Sequence, residues 1–417
     1  MDEQAVLEDE GVEGIHNFID KLRQPSVFES LKQYVLWQHA IRNSPNPEEL
    51  YSSGPDFSPI SINLDITTAC NYACDHCVDL HILNTGKRYD YDKLKSSLEL
   101  MIDKGLKSAI LIGGGEPTLD PKFEEIFTYL KEKEIQVAIV TNGSGMRKIG
   151  NLGNLFDQKD WVRLSLDSGT DSTFQAMHKP KKAISLDQIC DDVLDVKRNH
   201  PNVNIGFSYI ITWKGAYTND TNIVPNIHEI VQAAGLAKEH LFDYITYKPF
   251  ITRSPETGSE TIQINDSHGG YNAIMKNIKM SIEEAGKLED ENFKIIESSN
   301  MHSLERREDH DYTKQPKNCH ATFFRQVLSP LGLFNCPIYR NVPEAKIADK
   351  DAYSSLEAYN STRAKTMMQI LNFDAAQRCS TVTCAYNPLN WFIEDLVQHP
   401  EKLATLSPTE EHHDYYF

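Results

Sequence analysis

Three of the chain's eight cysteines fall within eight residues, where "CNYACDHC" sets thiols at Cys70, Cys74 and Cys77. Thiolates are soft donors that select iron–sulfur clusters, zinc or Cu(I). A cubane held by three protein thiolates leaves one iron open to an exogenous ligand, and an open iron is where a substrate or cofactor can coordinate. A structural zinc site would instead require a fourth ligand, which His76 inside the loop or His81 just after it would have to supply. Further along, "GGGEP" (Gly113 to Pro117) follows the apolar run "SAILI". Its glycines let a ligand approach the backbone closely, and Glu116 sets one carboxylate there, suited to an ammonium group.

A second set of thiols lies near the C-terminus: Cys319, Cys336, Cys379 and Cys384. Sixteen residues, with Gly332 among them, separate the first pair, and four separate the last. Four soft ligands so paired suit a cluster ligated wholly by protein; buried structural cysteines or a zinc site are the alternatives. Cys190 shares an apolar helical face with Leu186, Ile189 and Val193 and reads as core. Arg253, Arg306, Arg307, Glu297 and His178 are of types that bind substrates or move protons, but surface solvation accounts for each of them equally well.

The elements that would position these residues alternate. "ISINLDI", "SAILI", "QVAIV", "WVRLSL", "NIGFSYII" and "YITYKPF" read as strands. Amphipathic helices between them begin near Tyr91, at Asp120-Pro121 and at Leu186. Six such alternations predict a parallel α/β domain, doubly wound or barrel-like. We expect a helical leader and linker over 1–58, with a capping box at Ser26 to Glu29. The α/β domain follows over 59–250. A charged bridge with one helix (Tyr271 to Gly286) covers 251–316, and a cysteine-rich region with a hairpin turning at Pro330 and Gly332 covers 317–417. The terminal "EEHHDYYF" reads as a disordered end.

Bulk properties narrow the function. With 42 Lys+Arg against 60 Asp+Glu the net charge is −18, so nucleic acid and anionic membranes are poor partners. The acidic N-terminal stretch lacks the features of a signal peptide, and no apolar run approaches the ~18 residues of a membrane span. A cytoplasmic protein is expected, and reduced thiols there favour metal ligation over disulfides.

In order along the chain, "CNYACDHC" after the first strand, "GGEP" after the second, "TNG" (Thr141 to Gly143) after the third and "LSLD" (Leu164 to Asp167) on the fourth resemble the radical S-adenosylmethionine superfamily. The match runs over roughly residues 60 to 250. The resemblance implies a partial (β/α)6 TIM-like barrel, with Cys70, Cys74 and Cys77 holding a [4Fe-4S] cluster whose open iron S-adenosylmethionine chelates. It further implies that Glu116 and the backbone of Gly114 and Gly115 meet the methionyl amine, that Ser165 contacts the ribose or carboxylate, and that His76 lies against the adenine, where an aromatic residue is usual. Asn142, Asp167 and Ser208 would add contacts on the same rim. Cys319, Cys336, Cys379 and Cys384 resemble the small α+β SPASM/Twitch extension in its shorter, Twitch-like form, which implies one auxiliary [4Fe-4S] cluster. The activity implied is reductive cleavage of S-adenosylmethionine to a 5′-deoxyadenosyl radical that takes hydrogen from a small polar metabolite, aminosugar-like or nucleoside-like. Dehydrogenation, epimerisation or decarboxylation would follow, with a flavodoxin- or ferredoxin-like electron donor. Maturation of a ribosomally made peptide is the alternative, and an iron–sulfur carrier or sensor without turnover is the alternative of another class.

Overall fold

The computed structural model describes residues 17–218, 221–254, 258–262, 270–306 and 309–417; the acidic N-terminal stretch and Arg307 lie outside them. Ten strands form one sheet. They are β1 (Ser61–Leu64), β2 (Ser108–Leu111), β3 (Gln136–Thr141), β4 (Trp161–Ser165), β5 (Asn204–Ile211), β6 (Tyr244–Pro249), β7 (Lys294–Glu297), β8 (Arg325–Ser329), β9 (Gly332–Phe334) and β10 (Lys346–Ala348). Their order is β7-β6-β5-β4-β3-β2-β1-β8-β9-β10. β1 to β7 run parallel, β8 joins β1 in parallel through Ser61↔Arg325, and the β8–β9 and β9–β10 pairings are antiparallel, so β9 alone runs against the rest. This is the α/β partial barrel expected, extended at both edges.

Helices cover the outer face. α1 (Phe18–Arg23) and α2 (Pro25–Asn43) precede the sheet. α3 (Tyr91–Asp103), α4 (Phe123–Glu132), α5 (Met146–Asn151), α6 (Asp171–His178), α7 (Leu186–Asn199), α8 (Ile230–Glu239) and α9 (Tyr271–Gly286) follow its parallel strands. Side-chain caps fix several starts: Asp90 accepts from the Asp92 and Lys93 amides, Thr170 from Thr173 and Ser185 from Gln188. Alternation along the strands sorts their residues. Val162 and Leu164 on β4, Ile205, Phe207, Tyr209 and Ile211 on β5, and Ile245 and Tyr247 on β6 are fully buried under the helices. Arg163, Ser165, Ser208, Thr246 and Lys248 take the opposite, lumen-side parity.

Three expectations change. β7 lies inside the supposed bridge, paired with β6 through Ile295↔Ile245, because a four-residue strand among charged residues leaves little pattern to read. Ser26 caps nothing: Pro25 opens α2, and the Ser26 amide and hydroxyl instead bond the Glu411 carboxylate at 2.9 and 3.0 Å. The leader is helical as expected over its described residues, and α2 packs on Asn387–Gln398, where Arg42 forks onto Glu394 at 2.6 and 2.8 Å.

The C-terminal tail, expected to be disordered, is instead packed, with Tyr415, Tyr416 and Phe417 buried. The Tyr415 carbonyl accepts from the Ser108 hydroxyl (2.7 Å) and its amide donates to Gln136 (3.1 Å), both at the N-terminal ends of their strands. Tyr416 meets Trp161 edge-on at 5.6 Å, so the tail closes the barrel floor.

Candidate active site

The loop carrying Cys70, Cys74 and Cys77 leaves the C-terminal end of β1 and is held from two sides. From α6 and the turn after it, the His178 carbonyl accepts the Ala73 amide (3.1 Å), the Lys181 amide donates to Asn71 O (2.9 Å), and Lys181 Nζ reaches Cys70 O (2.9 Å). Lys179, at φ 46°, ends α6 so that this turn can fold back. From the other side comes the glycine turn after β2. The Glu116 amide donates to Ala69 O at 2.8 Å, and a Cβ on Gly115 would lie 2.4 Å from that same oxygen. Glycine is required here by close approach of two backbones.

Glu116 is buried, and burial raises its pKa although four groups donate to its carboxylate. Oε1 accepts from the Thr118 amide (3.1 Å), the Thr118 hydroxyl (2.6 Å) and the Thr141 hydroxyl (2.7 Å), and Oε2 from the Asn142 amide (2.7 Å). Glu116 therefore ties the ends of β2 and β3 together. Asn142 in turn donates to Asn71 Oδ1 at 2.9 Å, bringing the "TNG" turn onto the cysteine loop.

His76 and Asp167 meet beneath this loop. His76 Nε2 lies 3.1 Å from Asp167 Oδ2, and its Nδ1 is buried without a partner. Asp167 sits at φ 51° and accepts the Ile210 amide at 2.7 Å. Burial acts to raise its pKa, but the His76 hydrogen bond, with the Ile210 amide adding to it, prevails and lowers it. His178 stands 3.3 Å from Cys74 Sγ by Nδ1 and 3.0 Å from Leu166 O by Nε2. Burial brings its pKa down to about 4, so it is neutral, with Nε2 carrying the proton to the carbonyl. No local pattern favours His178 over the other candidates, since the fold alone brings it to Cys74. Ser165 and Ser208 are register partners on the lumen side of β4 and β5.

These residues fit an iron–sulfur cluster better than one ion. Cys74, His76 and His178 could meet on an ion, since their ligand atoms lie within 4.8 Å of one another, but that grouping leaves Cys70 and Cys77 out. Among the described residues no three thiol sulfurs lie that close. A tetrahedral zinc with Zn–S about 2.3 Å would bring its sulfurs to about 3.8 Å. Burial pushes the Cys77 thiol up to about 12 and Cys74 well above its usual value. Thiols in such surroundings ionise only against a strong local cation.

Cys319, Cys336, Cys379 and Cys384 line one small pocket, walled by Tyr339, Phe373 and Val382. Burial raises Cys336 to about 11 and Cys384 well above its usual value, and the neighbouring thiols add to both shifts. Two arginines join the thiol sets. Arg253 donates to Val78 O (3.0 Å), next to Cys77, and to Ile338 O (2.7 Å), two residues past Cys336. Arg340 bonds Asp65 at 2.9 Å and occupies the space that a Gly113 side chain would fill. Sequence reasoning missed Arg340, whose one trace is the extra glycine of "GGGE". Glu297 lies at the outer sheet edge near Glu305, away from both thiol sets.

Residues 64–211 match the family model described as the Radical SAM superfamily. An S-adenosylmethionine-dependent nucleotide dehydratase of Selenomonas ruminantium is 27% identical over 264 residues, covering 57% of this chain and 89% of that protein. The mycofactocin maturase MftC of Mycobacterium tuberculosis is 32% identical over 134 residues, and the match spans only 32% of that protein and 30% of this chain. The solved structure of Streptococcus suis SuiB superposes with a TM-score of 0.50 at 13% identity, over 79% of this chain and 78% of that one, a likeness of fold. The family match covers about a third of the chain, and there the similarity to the Radical SAM superfamily coincides with the parallel barrel and the cysteine loop clasped to its glycine turn.

Proposed function

We propose that the chain is a radical S-adenosylmethionine enzyme acting on a small polar, nucleotide-like metabolite. Cys70, Cys74 and Cys77 hold its cluster, and the open iron is left to S-adenosylmethionine. The observation that carries the reading is the contact of the Gly115 backbone with Ala69, which sets a glycine turn against a loop that supplies three thiols and no more. When bound, the reduced cluster and S-adenosylmethionine supply a 5′-deoxyadenosyl radical that removes a hydrogen atom from the substrate. The protein's part is to bind, orient and keep water out. Glu116 holds the turn, so the methionyl amine meets the Gly114 and Gly115 backbone and the less occupied Oε2. His76, fixed by Asp167, offers its unpartnered Nδ1 to the adenine edge. Ser165 and Ser208 offer hydroxyls to the ribose or carboxylate, and the packed tail closes the far end of the lumen.

Cys319, Cys336, Cys379 and Cys384 hold an auxiliary [4Fe-4S] cluster in this reading, supported by their shared cavity. A flavodoxin- or ferredoxin-like protein supplies the electron. The nucleotide dehydratase supports a nucleotide-like substrate because the match covers most of that protein. A second reading, modification of a peptide, has the higher identity to MftC in its favour, over a shorter stretch. No helix among the described residues is long and apolar enough to cross a membrane. The test is to reduce anaerobically reconstituted protein with dithionite and S-adenosylmethionine and follow 5′-deoxyadenosine by mass spectrometry. Formation by the wild type and loss in Cys74→Ala are expected. No product from protein with intact clusters would favour a carrier or sensor.

A further inference from the structure

Two cations face the barrel lumen without a counter-ion. Arg163 stands two residues before Ser165 on β4, level with Gly206 of β5 and Tyr244 of β6. Gly206 has no side chain because the Tyr244 ring fills that place, 2.1 Å from where a Cβ would be. The guanidinium lies 5.3 Å over the Trp161 ring, and its Nε is buried with no hydrogen-bond partner. Lys248 sits on the same face of β6, paired with Ile210 and two residues beyond Thr246. No carboxylate lies within ion-pair distance of either among the described residues. The carboxylate that acts on Lys248 through space is Asp167, whose oxygens are already engaged by His76 and the Ile210 amide.

Several other buried cations of this chain are paired, although Arg325, beside the second thiol set, is also without an ion pair among the described residues. Arg340 meets Asp65, Lys131 meets Asp160 and Lys197 meets Asp243. A buried unpaired charge is costly, and two of like sign in one chamber more so. The arrangement becomes favourable when an anion enters with both. Consistent with that, burial and the neighbouring Arg163 charge depress the Lys248 pKa well below the usual lysine value.

We infer that the lumen is built to take the phosphoryl group of a small-molecule substrate, with Arg163 and Lys248 as its cationic ligands and the Thr246 hydroxyl between their levels. A phosphoryl group fits this set better than a single carboxylate. It presents acceptor oxygens in several directions and up to two charges, matching a planar donor fork below and an ammonium above. The inference rests on the reading that the lumen is the substrate chamber, and deepens it by naming the substrate's anionic end.

Pyrophosphate is the probe, titrated calorimetrically into reconstituted full-length protein, with succinate as the carboxylate arm. At a net charge of −18, non-specific anion binding is disfavoured, so saturable binding reports a built site. Lys248→Met and Arg163→Gln should each weaken pyrophosphate binding about tenfold or more, Lys248→Arg should retain most of it, and Lys122→Gln on the exposed surface should leave it unchanged. Iron content and thermal melting confirm that the variants fold. Absence of pyrophosphate binding in the wild type, binding indifferent to both lumen variants, or tighter binding of succinate would each overturn the inference. The titration needs no turnover, so a failure to form 5′-deoxyadenosine would count against the proposed function and not against the anion site.

Discussion

Gly115→Ala puts the contact between the glycine turn and the cysteine loop under direct strain. A Cβ there would stand 2.4 Å from Ala69 O, 2.7 Å from Thr68 C and 2.8 Å from Ala69 N. Ordinary contact begins near 3.4 Å, so the two backbones must separate by about 1 Å. All three opposing atoms are main chain, and no flexible side chain can yield. Overpacking of this kind costs about 1–3 kcal/mol in stability. Its functional effect should be larger, because a shift of about 1 Å in reacting geometry can cost about 100-fold in rate. Gly105→Ala is the control, since Gly105 lies at φ +107° with nothing within 4 Å, so its alanine brings backbone strain without displacing the loop. We expect Gly115→Ala to bind S-adenosylmethionine about tenfold more weakly and to form 5′-deoxyadenosine about 100-fold more slowly, with a melting loss similar to that of the control. Equilibrium dialysis and product quantification on protein matched for iron content decide it. Wild-type affinity and rate in Gly115→Ala would refute the clasp as the device that builds the cofactor pocket.

Other expectations concern the rest of the chain. Cys319→Ala or Cys336→Ala should lower iron from about eight to about four per chain, and unchanged iron would remove the auxiliary cluster from the account. Phe417, 3% exposed and stacked 5.9 Å from Phe18, closes the floor, so Phe417→Ala should cost about 3 kcal/mol in thermal or denaturant unfolding. Burial acts to raise the Glu394 pKa, but hydrogen bonds from His320 and Arg42 prevail and hold it well below the usual carboxylate range. A carboxylate lowered on folding adds stability above its unfolded pKa and loses it as pH falls, so melting should drop below about pH 5. Glu394→Gln should be less stable at pH 7 and flatter over that acid range, and a parallel pH profile would show that this pair is not the acid-sensitive contact.

What could be read in advance was whatever repeats locally. The six strands alternate with amphipathic helices, and the Pro330–Gly332 turn closes a hairpin whose register pairs Ser329 with Gly332. The cysteine spacing and the glycine turn also declare their chemistry in a few consecutive residues. What escaped depends on distant partners. β8 joins β1 across 264 residues of separation between Ser61 and Arg325, and no local pattern encodes that pairing. Tyr415 to Phe417 look like a polar tail's last residues until Ser108, Gln136 and Trp161 are seen to receive them. Ser26 and Glu29 have the letters of a capping box, but the helix starts two residues early, at Pro25, and a distant glutamate takes the serine. His178, Arg163 and Lys248 carry no motif; α6 brings His178 to Cys74, and the strand register sets Arg163 and Lys248 on the lumen face.

The most direct measurement is electron paramagnetic resonance of dithionite-reduced, anaerobically purified protein, recorded with and without S-adenosylmethionine and alongside iron and zinc analysis. The account predicts a reduced-cubane signal that changes when S-adenosylmethionine is added and disappears from the Cys70→Ala, Cys74→Ala, Cys77→Ala variant, leaving only a signal indifferent to the cofactor. Tightly bound zinc at this loop, or a cluster signal that S-adenosylmethionine leaves unaltered, would contradict it.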